Sequence, residues 1–420
     1  MSIASSFYSA LSGLNAQATA MQVIGDNIAN LHTTGFKGSS VYFEDVLGQS
    51  LSTIAGTDRS GVGSKVSSVD GNFVQGTLMT TSVETDLGVN GKGFFVVSDP
   101  SSLETFYTRS GHFFADEDGY YVNTDGLRVQ GYLYDSTGTN MLETLADIRI
   151  DQSTMVPPQV TGGLGMILNL DATETAATWD IADPGGTSHY STALTVYDTL
   201  GQSHQIEVYF TKTAAQSWSW NATIDGSDVS GGTPGTPVLY GTGTLAFDTS
   251  GALTTAMPIN FYTGAVTYAN GIAASASTVD FTGTSQYGSP STIQSLTQDG
   301  YAAGVISGIT INADGNIVGS YTNGSIKNIA QLVLAHFPNL NGLNRNGSML
   351  YEASPSSGEP LYNRPGVGGM GNISAGMLEE SNIDLAGEFI KMIITQRGYQ
   401  ANSKVISTTD EMFAQLLSIK

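Results

Sequence analysis

The chain of 420 residues contains no cysteine. Disulfides, thiolate metal sites and Cys-based covalent cross-links are therefore excluded. Charge is also scarce: Asp, Glu, Lys and Arg make up 12% of residues, about half the usual share. Basic residues are the scarcest, 15 against 37 acidic ones, for a formal net charge of −22. Nucleic acid needs clustered Lys and Arg to neutralise phosphates, and an anionic membrane surface attracts basic segments. The balance argues against both and leaves proteins as the default partners. No apolar run is long enough for a membrane span. Between Met1 and Ala20 there is no Lys or Arg, and the apolar residues are spaced. A cleaved signal's charged n-region and apolar core are not visible there, so export would use a route that keeps the N-terminus.

Motifs that carry chemistry are missing too. The five histidines, at 32, 112, 189, 204 and 336, have no metal-ligand spacing. Gly366-Val367-Gly368-Gly369-Met370-Gly371 matches G-x-G-x-x-G formally. It follows Pro365 rather than a strand, and the next helix is distant, so it is expected to be a connector rather than a dinucleotide site. Asp116-Glu117-Asp118-Gly119 lacks the later ligands of a calcium loop and suits a hairpin turn. There is no G-x-S-x-G elbow and no P-loop. No catalytic, cofactor-binding or metal-ligating residue is assigned, no cofactor is expected, and the chain is not expected to be an enzyme.

What is present is patterning. Phe7, Leu14, Met21 and Ile28 recur every seven residues, beside a stripe of Ile3, Ala10, Gln17, Ile24 and Leu31. This is a heptad pattern. At the other end, Leu385, Met392, Tyr399, Ile406 and Phe413 form a second series. Beside it run Phe389, Gln396, Ser403, Asp410 and Leu417, apolar at the ends and polar in the centre. Ser381 and Asp384 resemble a capping box. Isolated helices are marginal in water, so each helix needs a partner. An intramolecular hairpin and a union with other copies both satisfy the pattern.

The middle predicts strands. Turn dipeptides abound: Asp70-Gly71, Asn90-Gly91, Asp118-Gly119, Asp125-Gly126, Asp225-Gly226, Asp314-Gly315 and Asn323-Gly324. Alternation at Ile206, Val208, Phe210 and at Trp218, Trp220, Ala222, Ile224 puts one face into a core. The expected fold class is mainly β with α-helical coiled-coil termini. It is nested, with the terminal helices pairing and β domains inserted between them. Residues 1–32 and 381–420 would form the helical domain, and 33–70 with 364–380 a connecting segment. Residues 71–154 with 289–363 would form a first β domain, and 155–288 an inserted outer one that starts near Pro157-Pro158.

Residues 26–37 include Asp26-Asn27-Ile28-Ala29-Asn30-Leu31 and Thr34-Gly35-Phe36-Lys37. They resemble the N-terminal signature of the flagellar axial family of rod, hook and hook-associated proteins. Ser381-Asn382-Ile383-Asp384-Leu385, Gln396-Arg397-Gly398-Tyr399-Gln400-Ala401-Asn402 and Thr408-Thr409-Asp410-Glu411-Met412 resemble its C-terminal signature. Thr85 to Phe95 is similar to the first β domain shared by rod and hook members, although Gly88 departs from the family's T-D-L-A-I-x-G pattern. Gly300-Tyr301-Ala302-Ala303-Gly304 is similar to the returning segment of hook members. The large insert favours a hook member over the shorter rod members.

The resemblance implies a structural subunit that self-assembles into a flexible tube. The tube acts as a universal joint, transmits motor torque to the filament and conducts exported axial proteins. Implied partners are further copies of the chain, a distal rod protein, the hook–filament junction protein, the hook cap protein and the flagellar type III export apparatus. The implied location is extracellular, in the hook. Implied assembly residues are Phe7, Leu14, Met21, Ile28, Asn27 and Asn30, with Leu385, Phe389, Met392, Gln396, Arg397, Tyr399, Asn402, Ile406 and Phe413. Two other readings stand: a distal rod protein, and a secreted β-rich binding module whose Trp218 and Trp220 would stack on carbohydrate.

Overall fold

The computed structural model describes residues 3–53, 56–151, 155–262 and 266–418. The chain divides into two compact units. One holds residues 1–151, 308–319 and 326–420, and the other holds 152–307 and 320–325. The chain is mainly β with a helix toward each end.

In the first unit, helix α1 spans Ile3–Ala29 and helix α2 spans Leu385–Ser418. Helix α1 ends where Asn30 bonds back to Asp26 and Gly35 adopts a φ of +72°. A side chain at Gly35 would place Cβ 2.5 Å from the backbone nitrogen of Ser110, so only glycine fits there. Helix α2 is started by Asp384 alone: its carboxylate accepts from the N–H groups of Ala386 and Gly387. This is an ordinary N-cap, and the predicted capping box is not formed, because the Ser381 hydroxyl is buried without a hydrogen-bond partner.

Strands β1 (Ser39–Thr53) and β2 (Gly56–Gly71) form an antiparallel ribbon beside α1. Asp70-Gly71 therefore lies in a strand, opposite Ser40 and Ser39, and not in a turn. The main sheet of this unit runs in the order Ile326–Leu332, Arg128–Tyr134, Phe94–Ser98, Thr105–Thr108, Leu350–Glu352 and Asn344–Arg345. Phe94, Val96, Tyr107, Phe337 and Tyr351 are buried in one core on it. The Asp116–Gly119 segment is the expected hairpin turn, with the Asp116 carboxylate accepting from the N–H groups of Asp118 and Tyr120. Residues 366–371 form a connector folded into a tight loop, closed by a hydrogen bond from the Gly366 N–H to the Gly371 carbonyl, ahead of the strand Asn372–Ala375.

The second unit pairs two sheets around one core. A four-stranded antiparallel sheet orders Tyr190–Tyr197, Ser203–Ala214, Ser217–Asp225 and Pro237–Ala246. The other sheet is built around Gly163–Asp171. The alternating residues Ile206, Val208, Phe210, Trp218, Trp220, Ala222 and Ile224 all point into the core. They meet Leu164, Met166, Leu168, Leu170, Phe261 and Phe281, and the Trp220 ring stacks 5.6 Å from Phe261. Each of the Val, Leu, Ile, Met and Phe side chains among them contributes about 1.5–3 kcal/mol on burial.

Candidate functional site

The terminal helices pack antiparallel, and apart from Ile24 the residues buried along the pair are small or polar. Helix α1 buries Ala10, Gly13, Ala16, Ala20, Ile24 and Asn27. Helix α2 buries Glu388, Thr395 and Thr409. At Gly13 a Cβ would lie 2.6 Å from the Asn402 amide nitrogen, and at Gly398 one would lie 3.2 Å from the Gln17 side chain. At the far end of the pair, Asn27 donates to the Glu388 carboxylate at 3.3 Å. Small residues on both sides let the backbones come close.

This seam, at Glu388, Thr395, Asn402 and Thr409, falls three residues on from the bulky series of α2. Of that series, Met392 and Ile406 are half-buried, while Leu385, Tyr399 and Phe413 are exposed. Phe389, Ile390, Ile393, Ile394, Val405 and Met412 are exposed as well, with Ile394 66% accessible. Gln396 and Arg397 are exposed and Asn402 is half-buried against Gly13. On α1, Phe7, Leu14, Met21 and Ile28 are half-buried flanking positions. Leu417 and Ile3 lie where no side-chain burial is described. A groove of about 240 Å³ between α1, β1 and α2 is lined by Val23, Ile24, Val41, Phe43 and Ile394.

Asn27 is fully engaged. Its amide oxygen accepts from the Ser39 N–H at 2.9 Å, and its amide nitrogen donates to the Ser39 carbonyl at 2.8 Å. It ties the end of α1 to the start of β1 and, through Glu388, to α2. Asn30 instead bonds locally, to Asp26 and Thr33.

Below this end lies a buried ionic cluster. Lys37 Nζ is 2.5 Å from Glu379 Oε1, and Arg109 Nη1 is 3.1 Å from Glu379 Oε2. The Gly76 N–H also donates to Glu379, Lys37 donates to the Val74 carbonyl, and Arg109 donates to the Gly91 carbonyl. Burial pushes the Lys37 ammonium below the usual lysine value, with Glu379 acting against that shift. Burial lowers Arg109 in the same way. Next to the cluster, Asn382 accepts from the Gly38 N–H and donates to the carbonyls of Asn72 and Val74. Glu379, Arg109, Glu388 and Asn382 are absent from the residues assigned by sequence. The cluster joins positions hundreds of residues apart, which no local spacing reveals.

Among the described residues, no group of three or more His, Asp or Glu is placed to hold a metal ion, and no helix is long and apolar enough to cross a membrane. The indoles of Trp218 and Trp220 have no exposed surface, so they cannot serve as a carbohydrate platform.

The terminal helices carry the marks of one class of protein, the axial proteins of the bacterial flagellum. The family model "flagella basal body rod protein" matches residues 7–37, and "flagellar basal body rod FlgEFG protein C-terminal" matches 374–419. Between them, "flagellar hook protein FlgE/F/G D1 domain" matches 88–162 and "flagellar basal body protein FlaE D2 domain" matches 169–301. The flagellar hook protein FlgE of Treponema pallidum is 35% identical, with 99% of each chain covered. That of Salmonella typhimurium is 34% identical over 99% of this chain and 100% of its own. A solved structure of the Helicobacter pylori flagellar hook protein FlgE2 shares the fold, with a TM-score of 0.53 at 18% identity, covering 72% of this chain and 100% of that one. The chain belongs to the flagellar hook protein family, as a structural subunit of the hook.

Proposed function

We propose that the α1–α2 pair is the inner wall of a hollow helical polymer of this chain, the two helices pairing as a coiled coil. One observation carries the reading: the bulky apolar residues of α2 face away from α1. Leu385, Phe389, Ile390, Ile393, Ile394, Met412 and Phe413 are all exposed, while small and polar residues fill the seam. A helix buries its apolar side against something, and a large exposed apolar face marks an interaction surface. A second copy offering the same helices is the natural cover. A heterologous contact that does not close then propagates into a filament.

The rest of the proposal follows the family. Residues 1–32 with 381–420 form the inner domain, and 33–70 with 364–380 the connection. Residues 71–154 with 289–363 form the first β domain, with 155–288 inserted in it. The tube bends as a universal joint, carries torque to the filament and lets exported axial proteins pass. The subunit leaves the cell through the flagellar type III apparatus and works outside the cell. It meets a distal rod protein at one end, the hook–filament junction protein at the other, and the hook cap protein during growth. No catalysis is part of this role.

Negative-stain electron microscopy tests the reading. Full-length protein in salts that promote assembly is expected to give short curved tubes, and a version lacking residues 1–30 and 381–420 to give none. Monomers from the full-length chain, or tubes from the truncated one, would overturn it.

A further inference from the structure

Helix α2 carries a charged stripe on the side opposite its seam. Ile390, Arg397, Lys404 and Glu411 recur every seven residues and are all exposed. Heptad spacing keeps them on one side of the helix. Within the chain the other described cations are largely engaged. Lys37, Lys65, Arg109, Arg128, Arg149 and Lys391 are in ion pairs. Lys212 donates to two backbone carbonyls, and Arg345 donates to another. Arg397, Lys404 and Glu411 have no side-chain partner among the described residues. In a chain with only 15 basic residues, the exposed Arg397 thus shares one stripe with an exposed acid, Glu411.

Copies in an open helical polymer all point the same way, so neighbouring α2 helices run parallel. Three registers of the stripe can be compared. Level helices set Arg397 beside Arg397, Lys404 beside Lys404 and Glu411 beside Glu411, all repulsive. A shift of one heptad matches Lys404 with Glu411 but sets Arg397 against Lys404. A shift of two heptads matches Arg397 with Glu411 and leaves no like charges opposed. At about 1.5 Å per residue this shift is about 21 Å along the helix.

We propose that Arg397 of one copy pairs with Glu411 of the next, and that this pair sets a two-heptad stagger between neighbouring α2 helices. The proposal rests on the self-assembly reading above. The apolar neighbours supply the adhesion and the charges select the register, which is what exposed charges do best.

Charge exchange tests it. Arg397→Glu and Glu411→Arg are each expected to raise the critical concentration for polymerisation roughly fivefold, read by sedimentation and electron microscopy. The double variant Arg397→Glu with Glu411→Arg is expected to return to about the wild-type value. Lys404→Glu has no partner in the staggered register and is expected to polymerise like the wild type. Far-UV circular dichroism of each soluble variant confirms its fold. Unchanged assembly in both single variants, a swap no better than either single change, or an equal loss with Lys404→Glu would each overturn the pairing. Failure of the wild-type chain to polymerise at all would instead sink the parent reading, and the pairing with it.

Discussion

Lys37 and Glu379 stand 342 positions apart in sequence, yet their charged groups meet at 2.5 Å with neither side chain exposed. The pair joins the segment after α1 to the strand before α2, and Arg109 brings the β sheet to the same carboxylate. One anion thus serves two cations in a site closed to water. Neutralising it leaves both uncompensated, and breaking a buried pair costs about 3–5 kcal/mol. Glu379→Gln is therefore expected to lower the stability of the first unit by that amount. Lys37→Met removes one cation but leaves Glu379 paired with Arg109, so it should cost clearly less. Urea unfolding followed by circular dichroism compares them. Equal losses would show that the cluster does not work as a two-to-one network.

How much of this was legible depended on periodicity and range. Alternation at Ile206, Val208 and Phe210 announced strands because a half-buried strand must alternate, and all three are buried. The terminal helices were visible because their apolar spacing is strong. Their seam was harder. A heptad count is drawn to the largest residues, Leu385, Tyr399 and Phe413, whereas close packing is made by Gly13, Ala20, Thr395 and Gly398, which carry no strong signal. The β1–β2 ribbon is rich in Ser, Gly and Thr, and its one turn-like dipeptide, Asp70-Gly71, lies in a strand. The Glu379 cluster is invisible without the fold, since nothing local couples Lys37 to Arg109.

Glycines in α1 divide by what surrounds them. A Cβ at Gly25 meets nothing within 4 Å, while one at Gly13 runs into Asn402 at 2.6 Å. Helix propensity favours replacement at both by about 1 kcal/mol. Gly25→Ala is therefore expected to raise stability by about that amount. At Gly13 overpacking of about 1–3 kcal/mol opposes the gain, and a leucine there should lose overall. Thermal melts that find Gly13→Leu as stable as Gly25→Ala would mean that the helices do not need this close approach.

Trp220 fills the centre of the second unit, stacked on Phe261 and fully buried. Truncating a core aromatic costs about 3–5 kcal/mol. Trp220→Ala is expected to shift the urea midpoint of this unit by a corresponding amount. Exposed Leu200, 66% accessible, is the control and should change stability by less than about 0.5 kcal/mol on replacement by alanine. A small effect at Trp220 would contradict a single shared core.

The same unit should weaken in alkali. Burial pushes Tyr209 up to about 12, with its hydrogen bond to Glu207 adding to the shift. Burial also raises Tyr240 and Tyr268, whose hydroxyls lie 3.2 Å apart. An unfolded tyrosine loses its proton near 10, while these hold theirs in the fold. The folded state therefore binds more protons above pH 10, and its stability, complete below that value, falls as pH rises toward about 12. All three tryptophans, Trp179, Trp218 and Trp220, lie in this unit, so indole fluorescence reports on it alone. Urea midpoints between about pH 9 and 12 should fall steadily beyond pH 10, and Tyr268→Phe should fall less steeply. A midpoint constant across that range would mean that these hydroxyls ionise in the folded state as readily as in the unfolded chain, and the burial argument would be wrong.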